Sequence, residues 1–359
     1  MKKLIYCFFA LLILASCQQI ETQTESAPKN VILLIGDGMG IAQISVGYFE
    51  NNKQIHFQRC KHTGFSITYS ADYPITDSGA AGTALATGYK TNNGMIGMDA
   101  DSVPVQSILH YAVENGKATA LVASSTVVHA TPASFIAHNI SRYNYEELAE
   151  DYLKTDIDIF IGGGLNYFNN RKDSVDLVSQ LKAKDYQIVT KPADLEAIKS
   201  GKLAGLMYPD HPPKYIDGRG DMLIESSMKA IELMKSNENG YFMMIESSQI
   251  DWAGHDNSSE YLVGEMLDFD KTVGAILDYA EKDGNTLVII TADHETGGVI
   301  LPESDEHDAV MEINFGAEHH TATMVPVFAF GPGADQFTGI MDNTDIFKKM
   351  YSLMGFDKK

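Results

Sequence analysis

Six short apolar runs, "VILLIG", "KATALVAS", "IDIFIGGG", "GYFMMIE", "NTLVIITA" and "VPVFAFG", constrain this chain more than any other feature. Each is rich in β-branched or aromatic residues and apolar on both parities, the pattern of a strand buried on both faces. Between them lie amphipathic stretches such as "VQSILHYAVENG", with Gly116 as a C-cap, and "DMLIESSMKAIELMKS". Strands covered on both sides and alternating with helices predict an α/β fold, a central, mostly parallel sheet with helices on both sides. At 359 residues the chain is long enough to bury the core of one large domain.

The N-terminus carries two lysines, an apolar run too short to span a bilayer comfortably, and then Leu14, Ala15, Ser16 and Cys17. This predicts a signal peptide over residues 1–16, lipid attachment at Cys17, a polar tether over 17–29 and the folded domain over 30–359. Export to the periplasm or cell surface is expected, with the lipid anchoring the protein to a membrane. Cys7 lies inside the signal, so Cys60 is the one cysteine of the domain and no intrachain disulfide is expected. The span 143–240 is more polar and helical in period; a cap or insertion and a plain continuation of the helical layers both fit it.

The formal net charge of −21, or −23 once Lys2 and Lys3 leave with the signal, repels a nucleic-acid backbone or an anionic membrane surface. No nucleic-acid partner is expected. An anionic small molecule remains admissible only where metal ions or a local arginine reverse the potential.

In an open α/β sheet, ligands bind beyond the carboxyl ends of the strands. The residues there are Asp37 after the first run, His129 and Thr131 after the second, Glu246, Asp251 and His255 after "GYFMMI", and Asp293 with His294 after "NTLVIITA". Each alone has an ordinary reading: "GDG" as a turn, "DH" as a hydrogen-bonded pair, Thr131 as a helix cap. Gathered at one buried edge, unpaired carboxylates would cost several kcal/mol each unless cations neutralise them. Mixed Asp/His sets suit zinc, and carboxylates with a threonine hydroxyl suit magnesium. Asp251 and His255 are spaced i and i+4, so a helix presents both on one face. "AEHHT" offers a further imidazole.

In "TDSGAAGTALATG" a turn could explain Asp77 and Ser78 and helix packing the Gly and Ala run; read as a helix starting at Ser78, its free backbone N–H groups and dipole favour an anion. Its small residues allow close packing. The Gly-rich "IGGGLN" lacks the Lys and Ser/Thr of a phosphate loop and reads as a turn. "PESDEHDAV" reads as a solvated loop, and His62, His138 and His211 as ordinary surface or core residues.

Taken in order, "IGDGMG", "TDSGAAGTALATGYKTNNGMIGMD", "HATPASFIAHNISR", "IESSQIDWAGH", "TADHETGG" and "HHT" resemble the alkaline phosphatase family over nearly the whole chain. The resemblance implies a three-layer α/β/α sandwich with a reduced crown insertion. It also implies hydrolysis of phosphate monoesters through a covalent phosphoserine, with broad specificity and an alkaline optimum. By the same resemblance Ser78 is the nucleophile and Arg142 the clamp on the substrate phosphate. Asp37, Asp293 and His294 would hold one zinc; Asp251, His255 and His320 a second; and Asp37, Thr131 and Glu246 a magnesium. Asp77, His129 and Trp252 stand behind these groups.

Two features of the sequence qualify the likeness. His129 and Trp252 occupy positions where some bacterial members carry Asp and Lys, which leaves the metal of the third site open. His320 is taken because it directly precedes Thr321, with His319 as the alternative. Family members are usually homodimers, and a homodimer is expected here. Competing readings are a sulfatase, which would need a Cys or Ser followed by Pro and Arg; a phosphodiesterase, which would usually omit Thr131, Glu246 and Arg142; and a lipid-anchored phosphate or metal binder, which would need no Ser78.

Overall fold

The computed structural model describes residues 27–303 and 312–357. The signal peptide, Cys17, most of the polar tether and most of the acidic "PESDEHDAV" segment lie outside the described residues.

Ten strands form one sheet: β1 (Asn30–Gly36), β2 (His62–Ile67), β3 (Ala118–Thr126), β4 (Ile159–Gly163), β5 (Gln187–Val189), β6 (Leu203–Leu206), β7 (Tyr241–Ser247), β8 (Thr286–Thr291), β13 (Val325–Phe330) and β14 (Gly339–Asp342). Short pairs join β9 (Glu295–Thr296) to β12 (His320–Thr321), and β10 (Val299–Ile300) to β11 (Asn314–Phe315). The spatial order is β14-β2-β13-β8-β1-β7-β3-β4-β6-β5. From β8 through β5 every pairing is parallel, and β13 alone runs against its neighbours β8 and β2. The β13 direction follows from its connection: the chain reaches it from β12 at the carboxyl edge of the sheet and has no crossover with which to return to the amino edge.

Alternation along each central strand feeds two separate cores. Val31, Leu33 and Ile35 of β1, with Phe242 and Met244 of β7, face one layer; Ile32 and Leu34, with Met243 and Ile245, face the other. The first layer is built on helices Ser78–Thr87, Ile108–Glu114, Tyr145–Lys154, Leu177–Ala183 and Asn343–Leu353. The second is built on Ile41–Glu50, Met222–Met234, Gln249–His255 and the long Ser259–Asp283. Both layers are sealed, so the runs had to be apolar on both parities. The span 143–240 supplies β4, β5 and β6 to one edge of the sheet and helices to both layers. Cys60 is buried and free.

Gly116 takes φ +68° just past the Ile108–Glu114 helix, and its N–H bonds the Val113 carbonyl. A second local feature bears directly on the site. Asp77 caps the Ser78–Thr87 helix, its Oδ1 accepting from the Ala80 N–H at 2.8 Å. All ten residues of that helix are buried. A Cβ on Gly82 would stand 3.0 Å from Ser134 Oγ and 3.4 Å from Thr131 Cα, so the missing side chain is what lets this helix meet the 130–134 segment. The small-residue run thereby brings Ser78 to the carboxyl edge of the sheet.

Candidate active site

β1 lies between β7 and β8, and the register sets Ile35 beside both Glu246 and Thr291. The three strands therefore end together. Asp37 follows β1, Asp293 follows β8, and Glu246 is the next-to-last residue of β7; all three are fully buried. The Asp37 backbone N–H donates to the Ser247 carbonyl at 3.1 Å, and the Gly38 N–H donates to Asp293 Oδ1 at 3.1 Å. Gly38 has φ +75°, a left-handed conformation that costs an L side chain strain and admits glycine freely.

The ligand-type atoms fall into three clusters, each with its atoms within 4.8 Å of one another: Asp37, Asp293 and His294; Asp251, His294 and His320; and Asp37, His129 and Glu246. His255 joins the second cluster through Nε2, 3.4 Å from Asp251 Oδ1 and 3.2 Å from His320 Nε2. Thr131 reaches the third with Oγ1 3.4 Å from Asp37 Oδ2. His320 and not His319 belongs to these clusters, and the His319 ring lies 6.1 Å from that of His255, centroid to centroid. Ser78 Oγ is 3.2 Å from His294 Nε2.

Three histidines share one orientation. His255 Nδ1 donates to the Glu318 carbonyl at 2.7 Å, His320 Nδ1 donates to the Thr76 carbonyl at 2.9 Å, and His294 Nδ1 lies 3.2 Å from Thr296 Oγ1. With the proton on Nδ1, every Nε2 turns inward as a lone pair. Two such lone pairs 3.2 Å apart, both beside Asp251 Oδ1, repel unless a proton or a cation lies between them.

The carboxylates tell the same story. Asp37 Oδ1, Asp293 Oδ2 and Glu246 Oε1, together with His129 Nδ1, are buried without a hydrogen-bond partner. Burial, and after it the Asp293 charge, raises Asp37 well above the usual carboxylate range. Burial and then Asp251 push Asp293 up to about 6. Burial is again the main cause for Glu246, raised to about 7. Asp251 moves the other way: burial alone would raise it, but hydrogen bonds from His255 and His320 outweigh that and hold it well below the ordinary value. The same hydrogen bond raises His255 to about 9. Orphaned acceptors on converging acids, with imidazole Nε2 atoms facing them, fit divalent cations.

Arg142 is tied to the start of the Ser78–Thr87 helix through the capping residue Asp77. Asp77 Oδ2 accepts from Arg142 Nη1 and from the Gly94 N–H, each at 3.0 Å, while the Arg142 backbone N–H donates to the Gly94 carbonyl at 2.7 Å. One side of the guanidinium is thus fixed. Its Nε has no partner, which leaves donors for an anion in the site.

Every sequence-predicted site residue lies in this one region, and three details go beyond the sequence reading. His129 is a full member of the third cluster by distance rather than a group behind it. His211 packs edge-on against Trp252 and His129, with centroids 4.7 Å and 5.6 Å away, and its Nδ1 accepts from the Thr126 N–H. Thr296 sits between two clusters. Neither His211 nor Thr296 carried a signal of its own; proximity to His294 within "TADHET" was the available hint for Thr296.

The family model described as alkaline phosphatase matches residues 28–307. Alkaline phosphatase 4 of Bacillus subtilis is 34% identical, covering 93% of this chain and 92% of its own. The alkaline phosphatase of Escherichia coli K12 is 30% identical, covering 93% of this chain and 88% of its own. The solved structure of alkaline phosphatase from the Antarctic bacterium TAB5 superposes with a TM-score of 0.88 at 41% identity, covering 92% of this chain and 98% of that one. The chain belongs to the alkaline phosphatase family, as a metal-binding enzyme that hydrolyses phosphate monoesters.

Proposed function

We propose that Ser78 is the nucleophile and that turnover passes through a phosphoserine at this residue. The observation that carries this reading is the meeting of Ser78 Oγ, at a helix start, with His294 Nε2, while Arg142 is held by Asp77, the residue directly before Ser78. Asp37, Asp293 and His294 hold one zinc, and Asp251, His255 and His320 hold a second. Bound there, the cations lower the pKa of the serine hydroxyl and of water and offset charge on the transferring phosphoryl group. The chain's own residues do the rest. Ser78 Oγ gives up its proton and attacks phosphorus as the ester P–O bond breaks and the leaving oxygen takes up a proton to depart as the alcohol; water then breaks the Ser78–phosphorus bond and inorganic phosphate leaves. The first backbone N–H groups of the Ser78 helix and the free donors of Arg142 orient the phosphoryl oxygens. Asp77 holds Arg142 in place and caps the same helix, so nucleophile and clamp share one anchor.

The third position, Asp37, Glu246 and Thr131, takes magnesium in this reading, with His129 as a further neighbour. Variants of the TAB5 enzyme in which a histidine is replaced by Asp or Glu have magnesium in their M3 site. By analogy, His129→Asp would strengthen magnesium binding here, because a carboxylate suits that ion better than imidazole does. Specificity is broad with an alkaline optimum, and the enzyme works as an exported homodimer, lipid-anchored through Cys17. Among the described residues no helix is long and apolar enough to cross a membrane.

Hydrolysis of a chromogenic aryl phosphate across pH, before and after chelation and again with zinc and magnesium restored, tests the reading. Activity that rises toward alkaline pH, is lost to chelator and returns with metal supports it. Undiminished activity after complete metal removal contradicts it.

A further inference from the structure

Thr296 follows His294 by two residues and is fully buried. Its hydroxyl meets side chains from two clusters: Asp251 Oδ1 at 2.5 Å and His294 Nδ1 at 3.2 Å. A hydroxyl has one proton to give, and an ionised carboxylate can only accept. The proton therefore goes to Asp251, and a lone pair on Thr296 Oγ1 accepts the Nδ1–H of His294. This arrangement leaves His294 Nε2 bare, and Nε2 is the atom that faces Ser78 Oγ, Asp37 and Asp293. One hydroxyl sets both the orientation of Asp251 and the tautomer of His294.

The rest of Thr296 is held so that this hydroxyl has little freedom to move. Its backbone N–H donates to the Gly38 carbonyl at 3.1 Å, next to Asp37. Across the β9–β12 pair it faces His320. A Cβ on Gly254 would stand 2.9 Å from its methyl carbon, so the methyl is seated directly on the helix that carries Asp251 and His255. The neighbouring Glu295 locks the same strand: its Oε1 accepts from Gln43 Nε2 at 2.8 Å, and its Oε2 accepts from Thr321 Oγ1.

We propose that Thr296 is a positioning residue that couples the two zinc positions, its single hydroxyl orienting Asp251 of one and His294 of the other. The proposal rests on the metal assignment made above. Losing the hydroxyl frees Asp251 to turn and His294 to place its proton on Nε2, so both positions weaken together. Outer-shell partners of this kind are typically worth about 10–100-fold in metal affinity.

The test uses holoenzyme carrying Thr296→Val, Thr296→Ala or Thr296→Ser, equilibrated in graded free-zinc buffers with magnesium held saturating. Zinc per subunit is read by elemental mass spectrometry. Valine keeps the methyl and removes the hydroxyl; serine does the reverse. Thr296→Val is expected to release both zincs at free zinc roughly 10–100-fold above wild type, with Thr296→Ser close to wild type. If the valine variant fails to fold, the comparison of alanine with serine isolates the hydroxyl in the same way. Weakening of one zinc only, no weakening at all, or equal weakening by serine and valine overturns the coupling. Wild-type protein that takes up no zinc refutes the metal assignment itself.

Discussion

Gly38→Ala asks how tightly the Asp37 turn closes on the helix beneath it. Gly38 has φ +75°, and an added Cβ would stand 2.6 Å from Asp251 Cα and 2.9 Å from Thr296 Oγ1. The left-handed conformation costs an alanine about 1–2 kcal/mol. Pressing a methyl against backbone that cannot swing away adds about 1–3 kcal/mol. Gly284→Ala is the matched control, since its φ is +68° and nothing lies within 4 Å of the new Cβ. In a chain of this length each kcal/mol moves Tm by roughly 1.5 °C, from about 2 cal/mol/K of unfolding entropy per residue. Gly38→Ala should therefore melt below Gly284→Ala by roughly 1.5–4.5 °C. The melts are run metal-free, so that lost metal binding does not enter. Zinc titration then adds a second readout, because only Gly38→Ala moves Asp251. Coincident melting of the two variants would refute the close approach.

Other outcomes follow from the site. Ser78→Ala should lower turnover by orders of magnitude while zinc and phosphate binding survive in equilibrium titrations; retained turnover would remove Ser78 from the chemistry. Arg142→Lys keeps the charge but loses the planar fork, so kcat/KM should fall roughly 10–100-fold, as measured with one aryl phosphate. Zinc affinity should climb with pH. In the metal-free protein Asp293 at about 6 and His255 at about 9 bind protons that zinc must displace, so affinity rises through that window and levels above it. Calorimetry in buffers of different ionisation enthalpy counts the protons released at pH 7, and zero release would contradict the ligand set.

What the sequence announced, and what it hid, divides along physical lines. The strands β1, β3, β4, β7, β8 and β13 are legible because both of their faces are largely buried, which forces runs of apolar residues on both parities. β2 and β14 lie at one edge and β5 at the other; β2 alternates buried and exposed positions, and β5 spans three residues, so none of the three offers a doubly apolar run. The site is legible because strands that end together deliver whatever follows them to one place, as with Asp37, Asp251 and Asp293. Thr296 was hidden because a threonine in a strand is ordinary until its two hydrogen-bond partners are seen. His211 was hidden because it arrives on the Pro-rich loop after β6. There Gln249 Nε2 bridges the Pro212 and Ser124 carbonyls and so fixes the loop to β3. No spacing in the sequence records that contact.

The most direct measurement of the central claim is rapid acid quenching of the zinc- and magnesium-loaded enzyme during turnover of a phosphate monoester, followed by mass spectrometry of its peptides. The account predicts a single phosphoryl group on the peptide containing Ser78, absent from Ser78→Ala. Turnover by the wild-type enzyme with no phosphoryl group on Ser78 at any quench time, or with the group on another residue, would contradict it.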